Sequence, residues 1–450
     1  MSSENQCQWS ADGNHLPDVQ YHTKVKHRVL ESYIQQWVET LTGNGAHGVR
    51  VMTLVDGFCG GGMYHDGDHL WEGSSIRMIR KLEEGLSNVK RRKPYHELDY
   101  EFIFIDSDRE HTQCLEIQLK NAGYEHYLRE GKCKIITGKF EENLQYCLDR
   151  VRTRKGYSFF FLDPFGLDVT PFVVREILNL GRSEVLFNHM LSGLVRLLKH
   201  RDGKYKNFFE EFEADDYYRG QDINNVDFRR KQAYLRDQAL KLFRTEGEAQ
   251  FAHTFALMSN PRTVLYYLIH LASNATALSV MRDTTWLQNN LDYQFHYGVY
   301  GVGYRTLDEL DENLTIYDIE DRNIEFCVNR LTDQIMEFLH QKGDLPFAQL
   351  ISSTIEENPA TRPLYIQAIN YLQDTGELIS EREGRITSSR IIRSRDIIKR
   401  ANYRQLFVSD GICKINSGKK KRNATPKLEK SIVILDHDQL GFWDANSLVD

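Results

Sequence analysis

Apolar residues in this chain follow two rhythms, one at helical spacing and one in short unbroken runs, and the two alternate along most of its length. After a polar leader over 1–20, the stretch HTKVKHRVLESYIQQWVETLT sets Val25, Val29, Ile34, Trp37, Val38 and Leu41 near helical spacing, ending at the Gly-rich GNGAHG. That pattern predicts an amphipathic helix. The runs VRVMTLVD, YEFIFIDSD, CKIITGKF, YSFFFLDPFGL and SEVLFNHM follow, separated by helix-like segments such as TPFVVREILNLG. Continuous apolar runs alternating with helices predict right-handed crossovers and a parallel sheet buried on both faces.

Between about 194 and 248 the pattern becomes helical and heavily charged, as in DFRRKQAYLRDQALKLF, which predicts a helical insertion. QFAHTFALM and TVLYYLIHLAS, joined by SNPR, then predict a hairpin that closes the sheet. Beyond Asp321, three short helical patterns precede ISEREGRITSS, two small strands around Gly384. Three helices and a hairpin over 321–395 fit a winged helix-turn-helix. The stretch 396–450, with SGKKKRNATPK, reads as a basic, solvated tail. No internal repeat stands out.

Composition narrows the picture. At 450 residues the chain exceeds what one core usually organises. No apolar run approaches the roughly 18 to 20 residues that span a bilayer. The start MSSENQCQWSADGN lacks a basic stretch followed by an apolar one, so a cytoplasmic protein is expected. Seven scattered cysteines without a CxxC pair suggest neither a disulfide framework nor a zinc site. A formal charge of -7 argues against a protein that coats nucleic acid through overall basicity.

Candidate chemistry gathers at three strand ends. In VDGFCGGGMY, glycines 57, 60, 61 and 62 allow close backbone approach to a ligand, and Asp56 can bind a cationic or hydroxyl-bearing group. A tight turn alone would look similar. Asp106 in FIFIDSD ends the next apolar run, where an acid accepts ribose hydroxyls, and Asp108 could substitute for it. Such a pairing suits S-adenosylmethionine as cofactor. In FFFLDPFG, Asp163, Pro164 and Phe165 supply a carboxylate, a carbonyl fixed by proline and a stacking ring. Those three would hold and clamp a flat base during direct transfer of a methyl group to an exocyclic amino nitrogen. Cys59 lies in the cofactor loop and receives no catalytic role. Carboxylates at metal-binding spacing are not evident, so neither a metal site nor a nuclease is expected.

These segments, together with KHRVLESYIQQW, EGSSIRMI, YYLIHLASN and MRDTTW, give a chain that resembles the three-Cys-motif partner (TcmP) family of bacterial methyltransferase-like proteins from about Tyr21 to Trp286. The resemblance implies a Rossmann-like methyltransferase sheet over 21–300, an S-adenosylmethionine site and genetic association with a companion protein bearing a three-cysteine motif. Carried across, the cofactor positions are Asp56, Phe58, Gly60, Gly62 and Asp106, and the substrate positions are Asp163, Pro164, Phe165 and Gly166. DPFG also resembles the motif of tRNA guanine-N2 dimethyltransferases. Two departures stand out: Lys139 occupies the position where such enzymes commonly place an Asp that reads the adenine amino group, and the acceptor motif carries one proline instead of two.

Between Arg382 and Arg404 there are eight Lys or Arg against two acids, Glu383 and Asp396. On a wing, residues such as Arg382 and Arg385 would meet phosphates, while Arg362, Tyr365, Gln367 and Asn370 on the preceding helix could reach base edges. DNA or RNA is therefore the expected partner, with protein docking as the alternative use of such a module. Two functions remain: an N-methyltransferase acting on a nucleic-acid base, or a non-catalytic partner that binds nucleic acid or a companion protein, in phage defence or DNA processing.

Overall fold

A computed structural model describes residues 8–43, 48–164, 166, 169–190, 215–218, 228–260, 263–289, 316–358 and 360–401. Most of the expected insertion, the stretch joining the two halves of the chain, Phe165 and nearly all of the expected basic tail lie outside these residues.

The five apolar runs form strands β1 (Val51–Asp56), β4 (Asp99–Asp106), β5 (Cys133–Thr137), β6 (Tyr157–Leu162) and β7 (Ser183–His189), paired in parallel. The expected hairpin is β8 (Phe251–Asn260) and β9 (Thr263–Ala272), with β9 antiparallel to β7. Together they make one seven-stranded sheet in the order β5-β4-β1-β6-β7-β9-β8. The result is a mixed α/β, Rossmann-like fold with a mostly parallel sheet. Strand order reverses between β1 and β6, and ligands of such sheets bind outside the carboxyl ends of the strands at that switch point.

Both faces of the sheet are covered, which is why its parallel strands read as unbroken apolar runs. On one face lie α1 (Tyr21–Gly43), α2 (Ser74–Arg92), α3 (Arg109–Asn121) and α9 (Ala275–Asn289), enclosing Leu54, Phe104, Phe159, Phe161 and Leu186. On the other lie α5 (Phe140–Arg154), α6 (Pro171–Leu178) and α8 (Phe228–Thr245) over Val55, Ile105, Phe160 and Phe187. The short helices α4 (Glu125–Arg129) and α7 (Asp215–Tyr218) complete the unit.

Two features depart from the sequence reading. A hairpin of β2 (Met63–Asp66) and β3 (His69–Glu72) follows the glycine turn directly. The expected polar leader is also partly built into the fold: Val19 N donates to His65 O at 2.8 Å, His65 N to Pro17 O at 2.9 Å, and Trp9 is 3% exposed.

The C-terminal part contains α10 (Ile316–Lys342), α11 (Phe347–Thr354) and α12 (Arg362–Asp374) beside a small antiparallel sheet. That sheet is ordered β10 (Leu345–Pro346), β13 (Ile397–Arg400), β11 (Leu378–Arg382), β12 (Arg385–Thr387). Strand β13 falls where a tail was expected from 396, because Leu378 to Glu381 pair with Arg400 to Ile397. Helix α9 serves both parts. Val280 and Met281 pack into the first core, and Leu278 and Trp286 into the second. Among the described residues no helix is long and apolar enough to cross a membrane.

Candidate functional site

The three expected acids stand on the tips of adjacent strands. Asp56 closes β1, Asp106 closes β4 beside it, and Asp163 follows β6, whose Phe161 is in register with Asp56. Asp56 is fully buried, and its pKa is pushed up to about 7. Burial is the main cause; the Asp163 and Asp106 charges add to it, while the Ser74 hydroxyl and the Phe58 amide work against it. Phe58 N donates to Asp56 Oδ1 at 3.2 Å, and Ser75 Oγ donates to Oδ2 at 3.4 Å.

Asp106 ties the glycine turn to α3. Its Oδ2 accepts from Gly60 N at 2.9 Å, and its Oδ1 accepts from Asp108 N at 2.9 Å and meets His111 Nδ1 at 3.0 Å. Burial disfavours the His111 imidazolium, yet its bond to Asp106 raises the His111 pKa above the ordinary value. A carboxylate has about four lone-pair sites, so three donors leave room for a ligand hydroxyl. Asp108 has another duty: its carboxylate caps α3 by accepting from Glu110 N at 2.8 Å.

Within the turn, Gly60 and Gly62 have φ of 58° and 80°, which side chains tolerate poorly. Two of its amides, Phe58 N and Gly60 N, are donated to the acids and do not point into open space. The Trp9 indole covers one flank, so that a Cβ on Gly61 would lie 2.2 Å from Trp9 Cγ. Trp9 Nε1 donates to Met63 O at 2.6 Å, and the indole meets the His111 ring edge-on at 4.7 Å. Cys59 is buried and its thiol pKa is pushed up, chiefly by that burial, as suits an inert side chain. Lys139 is exposed and precedes α5.

Asp163 is not free, because Lys26 of α1 forms an ion pair with its Oδ2. Lys26 Nζ also lies 5.4 Å from the centre of the Tyr266 ring, and the His22 ring meets Tyr266 edge-on at 5.3 Å. Burial, then the Lys26 charge, lowers the His22 pKa to about 4, so His22 is neutral near pH 7. Among the described residues, Tyr266 Oη and Asn188 Oδ1 have no hydrogen-bond partner, on side chains of residues 6% and 5% exposed. Sequence reasoning missed Lys26, Tyr266, Asn188 and His111. Pro164 and Gly166 flank Phe165, which lies outside the described residues.

The expected nucleic-acid contacts are placed differently from the reading. Tyr365 is fully buried, and its hydroxyl bonds Thr354 Oγ1 at 2.7 Å and Asn358 Nδ2 at 2.7 Å. Arg362 is 8% exposed, stacked 4.8 Å over Phe347 and bonded to Ile392 O at 3.4 Å. Arg382 grips Asp396 with two nitrogens at 2.9 and 2.7 Å. As placed, Tyr365 and Arg362 belong to the core and cannot reach a base, and Arg382 is held by a neighbour. Arg385 is exposed.

No protein-family model and no curated protein matches the chain. Solved structures that resemble it include the plantazolicin methyltransferase BpumL in complex with SAH, at TM-score 0.25 and 10% identity, covering 56% of this chain and 85% of that one. The tRNA methyltransferase TrmK of B. subtilis gives 0.21 and 10%, over 76% and 93%. Geranyl diphosphate C-methyltransferase of Streptomyces coelicolor gives 0.20 and 11%, over 56% and 84%. At scores of this size the likeness is only general, and the functional reading rests on the chain's own residues.

Proposed function

We propose that this protein is an S-adenosylmethionine-dependent methyltransferase of the TcmP kind, acting on an exocyclic amine of a nucleic-acid base. The observation that carries the reading is the acid trio of Asp56, Asp106 and Asp163, near enough that the other two raise the pKa of Asp56. Carboxyl groups gathered at the switch point of a Rossmann-like sheet suit a cationic ligand bearing a ribose. Asp106 has a lone pair for a ribose hydroxyl, and Asp56 has a carboxylate for the ammonium group. Bound there, the cofactor would supply an electrophilic methyl group on a sulfonium. The protein's own part is to orient the acceptor amine beside Asp163 and stabilise the positive charge that develops on it.

On this reading the C-terminal three-helix unit is a winged helix that brings DNA or RNA to the cleft, with Arg385 and Gln367 the expected contacts that are exposed. Calorimetric titration of the full chain with S-adenosylmethionine tests the proposal. Saturable binding that is lost in Asp106→Asn is the expected result, and absence of heat together with absence of thermal protection would refute it.

Specific observations favour a second reading, a non-catalytic partner that docks a three-cysteine-motif companion protein. Asp163 is engaged by Lys26, and Trp9 covers the flank of the glycine turn. That reading expects Asp163→Ala to fold and keep full cellular function.

A further inference from the structure

The row of side chains next to the acid trio has its own chemistry. Leu162 is in register with Phe187, so the next residues, Asp163 and Asn188, continue neighbouring strands side by side. Asn188 pairs with Leu268, and Tyr266 lies two residues from Leu268 on the same face, since Leu186, Tyr266 and Leu268 all join the core on the α1 side. Asp163, Asn188 and Tyr266 thus run along one face at the carboxyl end of the sheet. Lys26 enters from α1 to pair with Asp163.

The set is close to neutral, because the Lys26 ammonium offsets the Asp163 carboxylate and His22 is uncharged near pH 7. An anionic ligand would meet Asp163, and a cationic one would meet Lys26. Among the described residues two buried polar atoms here have no partner: the Asn188 amide oxygen, which accepts, and the Tyr266 hydroxyl, which can donate. Buried polar groups are nearly always satisfied, and exceptions call for a missing partner. What fits is an uncharged group presenting NH donors beside an acceptor, next to the Tyr266 ring and the His22 ring packed edge-on against it.

We propose that Lys26, Asp163, Asn188 and Tyr266 form the acceptor subsite, and that it takes the amino–imine edge of a nucleobase, an NH₂ group beside a ring nitrogen. The NH₂ donates one hydrogen to Asn188 Oδ1 and the other to Asp163, while the ring nitrogen accepts from Tyr266 Oη. Lys26 is a positioning residue that holds the Asp163 carboxylate. The inference deepens the methyltransferase reading and relies on it only for the neighbouring donor of the methyl group.

Cytidine carries this edge and uridine carries its inverse, a carbonyl beside a ring NH. Adenosine is avoided because it could enter the cofactor cleft. The full chain is titrated with each pyrimidine nucleoside, with and without saturating S-adenosylhomocysteine, and with N-acetylglutaminamide as an amide lacking the ring. Cytidine should bind at least about tenfold more tightly than uridine, the equivalent of roughly one well-made hydrogen bond. Tyr266→Phe, which keeps the ring, and Asn188→Leu should each remove the preference while leaving S-adenosylhomocysteine affinity unchanged. Equal binding of the two nucleosides, no binding of cytidine, a preference for the amide, or a preference that survives both variants would overturn the subsite. Cytidine discrimination without any S-adenosylhomocysteine binding would leave the subsite standing and remove the cofactor.

Discussion

Replacing Asp56 by Asn tests the site through stability, without a substrate. The buried carboxyl has its pKa pushed from 3.8 up to about 7. Between those values the folded protein keeps a proton that the unfolded chain has released. Its stabilising contribution is therefore complete below about pH 4, declines as pH rises toward 7, and is gone above that. At about 1.36 kcal/mol per pKa unit, three units set a ceiling of roughly 4 kcal/mol on the cost of ionising Asp56 in place. Asn keeps an acceptor for Phe58 N and never ionises. Asp56→Asn should therefore melt higher than wild type at pH 8, on the order of 5 °C or more, with the gap closing by pH 4. Scanning calorimetry of both proteins across that range, read as a difference curve, cancels the other titrations. A difference independent of pH, or a variant less stable at pH 8, would refute the argument. Function should move oppositely, because a cationic ligand favours the ionised acid: wild type should release a proton on binding S-adenosylmethionine at pH 6, and the variant should not.

Other outcomes follow from the same contacts. Lys26→Met leaves Asp163 without its counter-charge and should lower stability by about 3 kcal/mol, reduced where water reaches the acid, as read by chemical denaturation; full restoration by Lys26→Arg would show that charge alone matters. Trp9→Ala removes the indole from the glycine turn and should cost roughly 3 kcal/mol, with protease cleavage appearing in the leader; an unchanged digestion pattern would mean that the leader is not held by Trp9. Tyr365→Phe should cost about 1 kcal/mol through two lost hydrogen bonds and leave any nucleic-acid affinity unaltered. A fall in affinity without a fall in stability would return Tyr365 to the interface.

Much of the sheet was legible because buried parallel strands leave continuous apolar runs, and each of VRVMTLVD, YEFIFIDSD and YSFFFLDPFGL contains a strand. The acids were legible because the end of such a run is a fixed place in the fold. The β2–β3 hairpin left a weak signal, the Gly67-Asp68 pair between two short runs, which is common turn chemistry. Trp9 left none, since a lone aromatic residue in a polar stretch has no period and its hydrogen-bond partner Met63 is 54 positions away. Lys26 was hidden for a similar reason: its acid lies 137 positions along the chain. Tyr365 was a misreading that the pattern could have prevented. With Ala368, Ile369 and Leu372 it makes a stripe at i, i+3, i+4 and i+7, which marks the inward face of α12.

Helix α9 gives the molecule a particular mechanical wiring. One side of it lies along α1, the helix that holds Lys26 against Asp163, while Leu278 and Trp286 are anchored among the C-terminal helices. Through α9 the C-terminal helices are therefore packed onto α1, the element that carries Lys26. For the same reason, severing the chain at residue 320 would strip the covering from Trp286 and leave an oily scar on the remaining piece.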